Sequence, residues 1–331
     1  MSRNHRTSSK RKATGKVAGH AAPARNRLGV LLKVGAAVVL CGVGFFVVRG
    51  VQHQPVPVTP NGSVSRTIRA EHFVPAQRRA DSWEQLVAMT EEELAQVDVA
   101  EMNLLCAVGL PGAEDLDIDA CMKQIDEWLP TIQWETERHL YRATDPKHAE
   151  HYKHSENYVR AEFLTQTMQT EFGVHYNLER VRDIDFTNSK DLFIHGMIND
   201  PNGGTCASMP ALYVAVGRRL GYPLKLSLTI GHVFVRWDGV DETFNVEVSG
   251  NGGTDSFSDE YYTTWPQKMP ESIRKEGIYL KSLTPREMLA GFLANRGHCL
   301  LDIGRTAEAK VAYDAAMKLA PNYPGYRSWA S

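Results

Sequence analysis

The feature that most constrains the fold of this chain is a change of hydrophobic period near residue 221. Over residues 206–220, apolar side chains recur every three to four positions, which predicts a helix that ends at Gly221 and Pro223. Over residues 224–230, apolar and polar side chains alternate, which predicts a strand with one buried face. A long helical region, then this helix, then antiparallel strands together predict an α+β fold.

Two further strands are predicted at residues 232–237 and 243–248, joined by the turn-rich segment 238–241. In the second of these strands, Asn245 and Glu247 occupy alternate positions. Successive side chains of a strand point to opposite faces, so these two share one face.

The length of the hairpin loop decides which side chains face each other. A two-residue loop at 239–240 places His232 directly opposite Glu247, at a distance that suits an imidazole–carboxylate hydrogen bond. A four-residue loop places Glu247 opposite Phe234, one step away on the same face. A three-residue loop would place His232 and Glu247 on different faces. In the other two registers Glu247 is nearer to His232 than Asn245 is, so Glu247 is preferred.

The first 70 residues predict a membrane anchor. Residues 1–27 carry eight Lys or Arg and no acid, and residues 28–48 are apolar except for Lys33. A helix of 21 residues spans about 30 Å, the thickness of the hydrocarbon core. The basic tail is expected in the cytoplasm and the folded part outside it, periplasmic in a Gram-negative-type bacterium. A cleaved signal peptide is the alternative, although no small-residue cleavage pattern follows. Residues 49–70 predict a Pro-rich linker.

Charge and cysteine content exclude several classes of protein. Residues 49–331 carry 28 basic and 39 acidic residues, which disfavours nucleic-acid binding. Five scattered cysteines without a C-x-x-C pair exclude a disulfide scaffold and a zinc ribbon, although Cys106 and Cys121 are either a bridge or two buried thiols. The absence of a phosphate loop and of H-E-x-x-H predicts no cofactor and no metal. The histidines at 148, 151 and 154 lie in a charged segment and are expected on the solvent-exposed surface.

Two helical regions flank the strands. Residues 81–172 show helical periodicity, ending at Gly173, and residues 286–331 carry the spacing of one tetratricopeptide repeat, a helix–turn–helix of 34 residues. The matching positions are Leu293, Gly297, Leu300, Gly304, Ala309, Tyr313, Ala316 and Pro321. A single repeat cannot bury its own apolar face, so this helix pair is expected to pack against the preceding domain and to offer a surface for a protein partner.

Three residue types converge on one candidate chemistry. Cys206 follows a Gly-Gly-Thr turn at the expected start of a helix, where the positive end of the helix dipole favours a thiolate. His232 begins a strand and can act as the base for that thiol. Glu247, or Asn245 as the alternative, is the expected third member that orients the imidazole.

The motifs around these residues resemble the transglutaminase-like superfamily, and most closely its bacterial core type. They are the runs 203–213, 219–223 and 231–237, followed by Phe-Asn-Val-Glu at 244–247. The resemblance covers about residues 80–325. It implies a papain-like core, in which a helix bearing the cysteine packs on an antiparallel sheet, within a domain at 71–285 whose catalytic core is 192–265.

The resemblance implies that Cys206 is the nucleophile, His232 the base and Glu247 the acidic member. It departs from larger transglutaminases at Ala207, where tryptophan is usual, and at Glu247, where aspartate is usual. Hydrolysis of an amide or thioester of a peptide or protein is therefore expected as readily as acyl transfer. The alternative is a catalytically silent module that binds a peptide or partner through the cleft and the helical repeat.

Overall fold

The computed structural model describes residues 78–181, 183–198, 200–249 and 255–330. The predicted basic tail, membrane-spanning segment and linker lie outside these residues. Within the described ranges, none of the helices combines the length and the apolar character needed to cross a membrane.

The described chain is a mixed α+β fold with one small antiparallel sheet, in agreement with the predicted class. Its helices are α1 (Trp83–Ala88), α2 (Glu91–Leu94), α3 (Val99–Ala107), α4 (Ile118–Glu137), α5 (Glu156–Thr170), α6 (Met209–Arg219), α7 (Asp259–Tyr262), α8 (Glu271–Lys275), α9 (Pro285–Asp302), α10 (Thr306–Leu319) and α11 (Pro324–Ala330). Its strands are β1 (Leu224–Thr229), β2 (His232–Asp238) and β3 (Thr243–Val246), and short 3-10 helices lie at Leu140–Ala143, Leu178–Arg180, Ser189–Asp191 and Ile194–Met197.

Side-chain caps start the N-terminal helices. The Ser82 hydroxyl accepts from the Gln85 N–H at the start of α1, and Thr90 and Glu93 form a reciprocal capping box on α2. Asp98 caps α3, all of whose residues are buried. The helical region predicted from residue 81 is therefore confirmed, as a series of capped helices around a buried central one.

Helix α6 begins at Met209, so the prediction that it starts at Cys206 is wrong. The Ser208 hydroxyl accepts from the Thr205 N–H at 3.0 Å, which closes residues 205–208 into a turn. The Thr205 and Ser208 hydroxyls both donate to the Asp191 carbonyl, at 2.6 and 3.1 Å. These bonds hold the turn in place of a first helical turn.

The predicted end of α6 is confirmed. Gly221 has φ +81°, a conformation that glycine adopts without strain. The Tyr222 N–H donates to the Gly217 carbonyl at 2.9 Å, in a Schellman cap. The chain then turns directly into β1.

The sheet has the order β1–β2–β3, and its hairpin loop has four residues, 239–242. Of the two registers left open by the sequence, the four-residue one is therefore observed, with Asn245 opposite Arg236. The reason lies at the start of α5, where Ser155 and Asn157 donate to the Glu242 carboxylate at 2.6 and 2.7 Å and hold the wider loop.

Both faces of the sheet are covered, which differs from the expected half-exposed strand. Helix α6 packs on the apolar face of β1 and β2. The segment that follows β3 covers the other face, where the Tyr262 ring stacks on Phe234 at 4.0 Å and its carbonyl accepts from the Thr229 hydroxyl. The Leu283 N–H donates to the Leu226 carbonyl at 2.8 Å, so the same segment also covers the β1 edge.

The C-terminal helices share the main core with the rest of the chain. The inner face of α9 is buried, and the Arg296 guanidinium donates to the Cys106 and Val108 carbonyls at 3.0 and 2.7 Å, at the end of α3. Gly297 lies against the Tyr313 ring of α10, where a Cβ atom would approach a ring carbon to 2.4 Å. The expected packing of this helix pair against the preceding domain is confirmed.

Two glycines of α9 provide a test of this packing. Gly297→Ala should lower the free energy of unfolding by about 1–3 kcal/mol, because the buried Tyr313 ring cannot move away. Gly291→Ala, in the same helix with open space around the new methyl group, should raise it by about 0.5–1 kcal/mol. Urea unfolding of the full chain in detergent measures both, and equal effects of the two substitutions would contradict the close contact.

Candidate active site

A short parallel bridge and two glycines place Cys206. The Gly204 N–H donates to the His175 carbonyl at 2.9 Å, and the Gly204 carbonyl accepts from the Asn177 N–H at 2.8 Å. Gly203 has φ +77°, which favours glycine, and a Cβ at Gly204 would meet the Met197 sulfur at 2.3 Å, so a side chain there would have to displace Met197. Cys206 lies two residues after this bridge and three residues before α6.

A buried carboxylate that sequence reasoning missed, Asp191, supports the same turn. Its side chain is fully buried, accepts from the Asp185 N–H at 3.0 Å and from Asn202 Nδ2 at 2.9 Å, and forms an ion pair with Arg180 at 3.1 Å. Its backbone carbonyl accepts from the hydroxyls on either side of Cys206. No sequence motif marks Asp191, because its partners come from separate segments.

His232 and Glu247 form a buried pair on the polar face of the sheet. Nε2 of His232 lies 2.7 Å from Oε2 of Glu247, and the two residues are 3% and 6% exposed. The predicted contact between them is confirmed, although Glu247 lies beyond the end of β3 and the register aligns it with Phe234 rather than His232. The short bond results from side chains that lean toward each other along one face.

Each oxygen of the Glu247 carboxylate has a partner. Oε2 also accepts from the Tyr262 hydroxyl at 3.0 Å, and Oε1 accepts from the Ser249 N–H at 2.9 Å. Burial raises the pKa of this carboxyl, but the His232 charge and these hydrogen bonds outweigh burial, so its pKa lies below the usual value. The site therefore holds an ionised carboxylate beside the imidazole at neutral pH.

Asn245 belongs to a different cluster. Its amide nitrogen donates to the Phe257 carbonyl at 2.9 Å and to Asp259 Oδ1 at 2.8 Å, and its amide oxygen accepts from Arg236 Nε at 2.8 Å. Arg236 also forms an ion pair with Asp259. Asn245 therefore ties the sheet to the segment that covers it and does not contact His232.

Two of the three predicted site residues, Cys206 and His232, line one cavity of about 130 Å³. Cys206 and Ala207 line it from the turn before α6, and Gly231 and His232 line it from the β1–β2 hairpin. Residues of α9 and α11 also line it. The indole of Trp265, which the sequence did not single out, packs edge-on against the His232 ring at 4.7 Å. Cys206 and His232 therefore face a common space.

Cys106, Cys121, Cys299 and the histidines at 148, 151 and 154 do not line this cavity. Cys106 and Cys121 are free thiols, not a bridge, and burial raises their pKa values to about 12 and about 11. His151 and His154 are exposed and contact glutamates. Across the ranges that the structure describes, no group of three or more His, Cys, Asp or Glu is placed to hold a metal ion.

The lowered pKa of Glu247 predicts a specific pH dependence of stability. A carboxyl whose pKa is lower in the folded state stabilises the fold above its unfolded pKa, and this stabilisation is lost as pH falls through the folded pKa, below about 4.5. The full chain should therefore be more stable than Glu247→Gln at pH 7, with the difference shrinking toward pH 3. Urea unfolding at both pH values measures it, and a difference that stays constant would contradict an ionised Glu247.

Comparison with known proteins does not assign the chain to a family: no family model matches it, and no curated protein or solved structure does either. Any assignment of function therefore depends on the geometry of Cys206, His232 and Glu247.

Proposed function

We propose that the protein is a cysteine enzyme of the transglutaminase-like type that hydrolyses or transfers the acyl group of an amide or thioester, in a peptide or protein. One observation carries the proposal: Cys206 and His232 line the same cavity, while an ionised Glu247 holds the imidazole 2.7 Å away. A thiol, a base and a group that orients the base are the parts that nucleophilic catalysis requires.

The contacts of His232 define how the proton would move. Nε2 of His232 is hydrogen-bonded to Glu247. In this mechanism Nδ1 of the same ring therefore exchanges the proton with the Cys206 thiol. The thiolate attacks the carbonyl carbon, a C–S bond forms, and the imidazolium returns its proton to the departing amine or thiol. Water then attacks the thioester with Nδ1 as base, the C–S bond breaks, and the acid and the thiol are released. An amine in place of water gives acyl transfer.

The position of Glu247 supports its role in this sequence. The imidazolium forms in a buried site, where a positive charge is unfavourable without a counter-charge. Glu247 supplies that charge, and its bonds from Tyr262 and Ser249 keep the carboxylate ionised and fixed in place. An amide at this position would orient the ring but would not stabilise its charge.

The arrangement of elements supports the resemblance to papain-like cores. A cysteine lies just before α6, the helix packs on an antiparallel sheet, and a histidine and an acid lie on neighbouring strands of that sheet or directly after them. The silent binding module is the second interpretation of the same cleft, with the C-terminal helix pair as its contact surface. The reactivity of Cys206 distinguishes the two.

Iodoacetamide should alkylate Cys206 at pH 7 at least about 100-fold faster than Cys106, Cys121 or Cys299. Only the thiolate reacts, and burial raises the pKa of Cys299, like that of Cys106, to about 12. Peptide mass spectrometry after timed quenching of the full chain gives the four rates.

The same measurement on variants separates the roles of the three residues. His232→Ala and Glu247→Gln should each slow alkylation of Cys206 at pH 7 by about tenfold, because the imidazolium that stabilises the thiolate is lost or weakened. Val311→Ala, exposed on α10, is the matched control and should not change the rate. If Cys206 reacts no faster than Cys299, the enzyme is excluded in favour of the binding module.

We further propose that residues 28–48 anchor the protein in the membrane, with the basic tail in the cytoplasm and the α+β fold outside it. The asymmetry of charge supports this orientation: eight basic residues and no acid precede the apolar segment.

A reporter enzyme that is active only in the cytoplasm, fused after Ser331, should give no signal in cells, and a reporter active only outside the cytoplasm should give one. Replacing the eight basic residues of the tail with neutral ones should weaken this bias. A cytoplasmic signal from the unaltered fusion, or a mature N-terminus near Val51, would overturn the assignment.

A further inference from the structure

The cavity beside Cys206 has a wall that the catalytic residues do not use. Helix α9 contributes Phe292 and Met288, and the C-terminal segment contributes Tyr323, Tyr326 and Trp329. This wall is aromatic and aliphatic. The rest of the lining is also mostly apolar: the side chains from the strands and from the segment before Cys206 are aliphatic or aromatic except for Thr229.

Apart from the proposed Cys206–His232 pair, charged side chains are missing from the described lining of the cavity. Among the described residues that line it, none is Asp, Glu, Lys or Arg. His298, the second histidine on its wall, is buried, and burial lowers its pKa to about 4, so its ring is neutral at pH 7. Its Nδ1 lies 2.9 Å from the Tyr313 hydroxyl. Away from the proposed Cys206–His232 pair, a charged group that entered this space would lose its hydration without finding a counter-charge.

The size of the cavity limits what it can hold. Its volume of about 130 Å³ is close to that of engineered apolar cavities of about 150 Å³, which bind one benzene molecule. It therefore has room for one apolar group about the size of a benzene ring and not for a long chain. Gly231, Gly291 and Asn295 on its rim are partly exposed, so a ligand can enter from solvent.

We infer that the cavity is the acyl-side subsite of the proposed enzyme: it binds one uncharged aliphatic or aromatic group next to the carbonyl that Cys206 attacks. The inference rests on the proposed function and adds the substrate class. Helix α9 of the tetratricopeptide-like pair and α11 would then serve as part of the substrate-binding site, because both line the cavity.

A series of p-nitrophenyl esters tests this assignment on the full chain in detergent. The thiolate attacks the ester carbonyl, p-nitrophenolate leaves, and the acyl group remains on Cys206 until water releases it. The burst of p-nitrophenolate gives the acylation rate, and mass spectrometry identifies the acylated cysteine. Each buried methylene contributes about fourfold. Butyryl should therefore acylate about tenfold or more faster than acetyl, 3-phenylpropionyl faster still, and anionic succinyl more slowly than butyryl.

A substitution that fills the cavity provides the matched variant. Gly291 lines the cavity and a Cβ there meets no atom within 4 Å, so Gly291→Leu is the substitution designed to fill it without a clash at the Cβ. It should bring the ratio of 3-phenylpropionyl to acetyl rates close to one, whereas Val311→Leu on the exposed face of α10 should leave this ratio unchanged. If an N-acetylphenylalanyl ester acylates Cys206 faster than the 3-phenylpropionyl ester does, the apolar group belongs to a peptide. Equal acylation rates of the two esters would identify a simple acyl group.

Binding without chemistry separates the subsite from the catalytic step. 3-Phenylpropanamide should raise the Tm of Cys206→Ser and should not raise that of Cys206→Ser combined with Gly291→Leu, while succinamate should have no effect. Acylation of Cys206 at equal rates by acetyl, butyryl and succinyl esters, together with no shift in Tm, would overturn the subsite and leave the enzyme standing. A shift in Tm without acylation by any ester would overturn the enzyme and leave an apolar binding cavity.

Discussion

A buried carboxylate is the constraint on which this structure depends, because an ion removed from water must find its compensation inside the protein. Glu247 meets this condition with partners from three places: the His232 ring, the Tyr262 hydroxyl and the Ser249 N–H. The first lies on β2, the second on the segment that folds back over the sheet, and the third just beyond β3. Ionising Glu247 therefore requires the hairpin register and the covering segment at once.

Asp191 performs the equivalent task in the turn that carries Cys206. Its carboxylate accepts hydrogen bonds from Asp185 and Asn202 and pairs with Arg180. Its backbone carbonyl accepts from the two hydroxyls that flank Cys206. Two buried acids thus position His232 and Cys206, one through side-chain contacts and the other through the backbone. Such networks make a site rigid, because any displacement leaves a buried polar group without its partner.

Much of this arrangement follows from local sequence signals, and the remainder depends on contacts between distant segments. The class of fold, the end of α6 at Gly221 and the pairing of Glu247 with His232 were predictable, because period, glycine and strand alternation act locally. The start of α6 and the hairpin loop were not. Both are decided by partners far along the chain, Asp191 in the first case and Ser155 in the second. The segment that covers the sheet shows no hydrophobic periodicity, so its burial could not be predicted from the sequence.

The bond from Arg296 to the end of α3 joins residues 190 positions apart, and α3 is the helix of the N-terminal part whose residues are all buried. The carbonyls at Cys106 and Val108 stay without this partner until most of the chain has been synthesised. Such a high sequence separation slows folding and leaves apolar surface open in the meantime. If the fold is exported, as we propose, this delay would have a use, since the segment that follows the anchor would remain in the unfolded form that a translocation channel accepts.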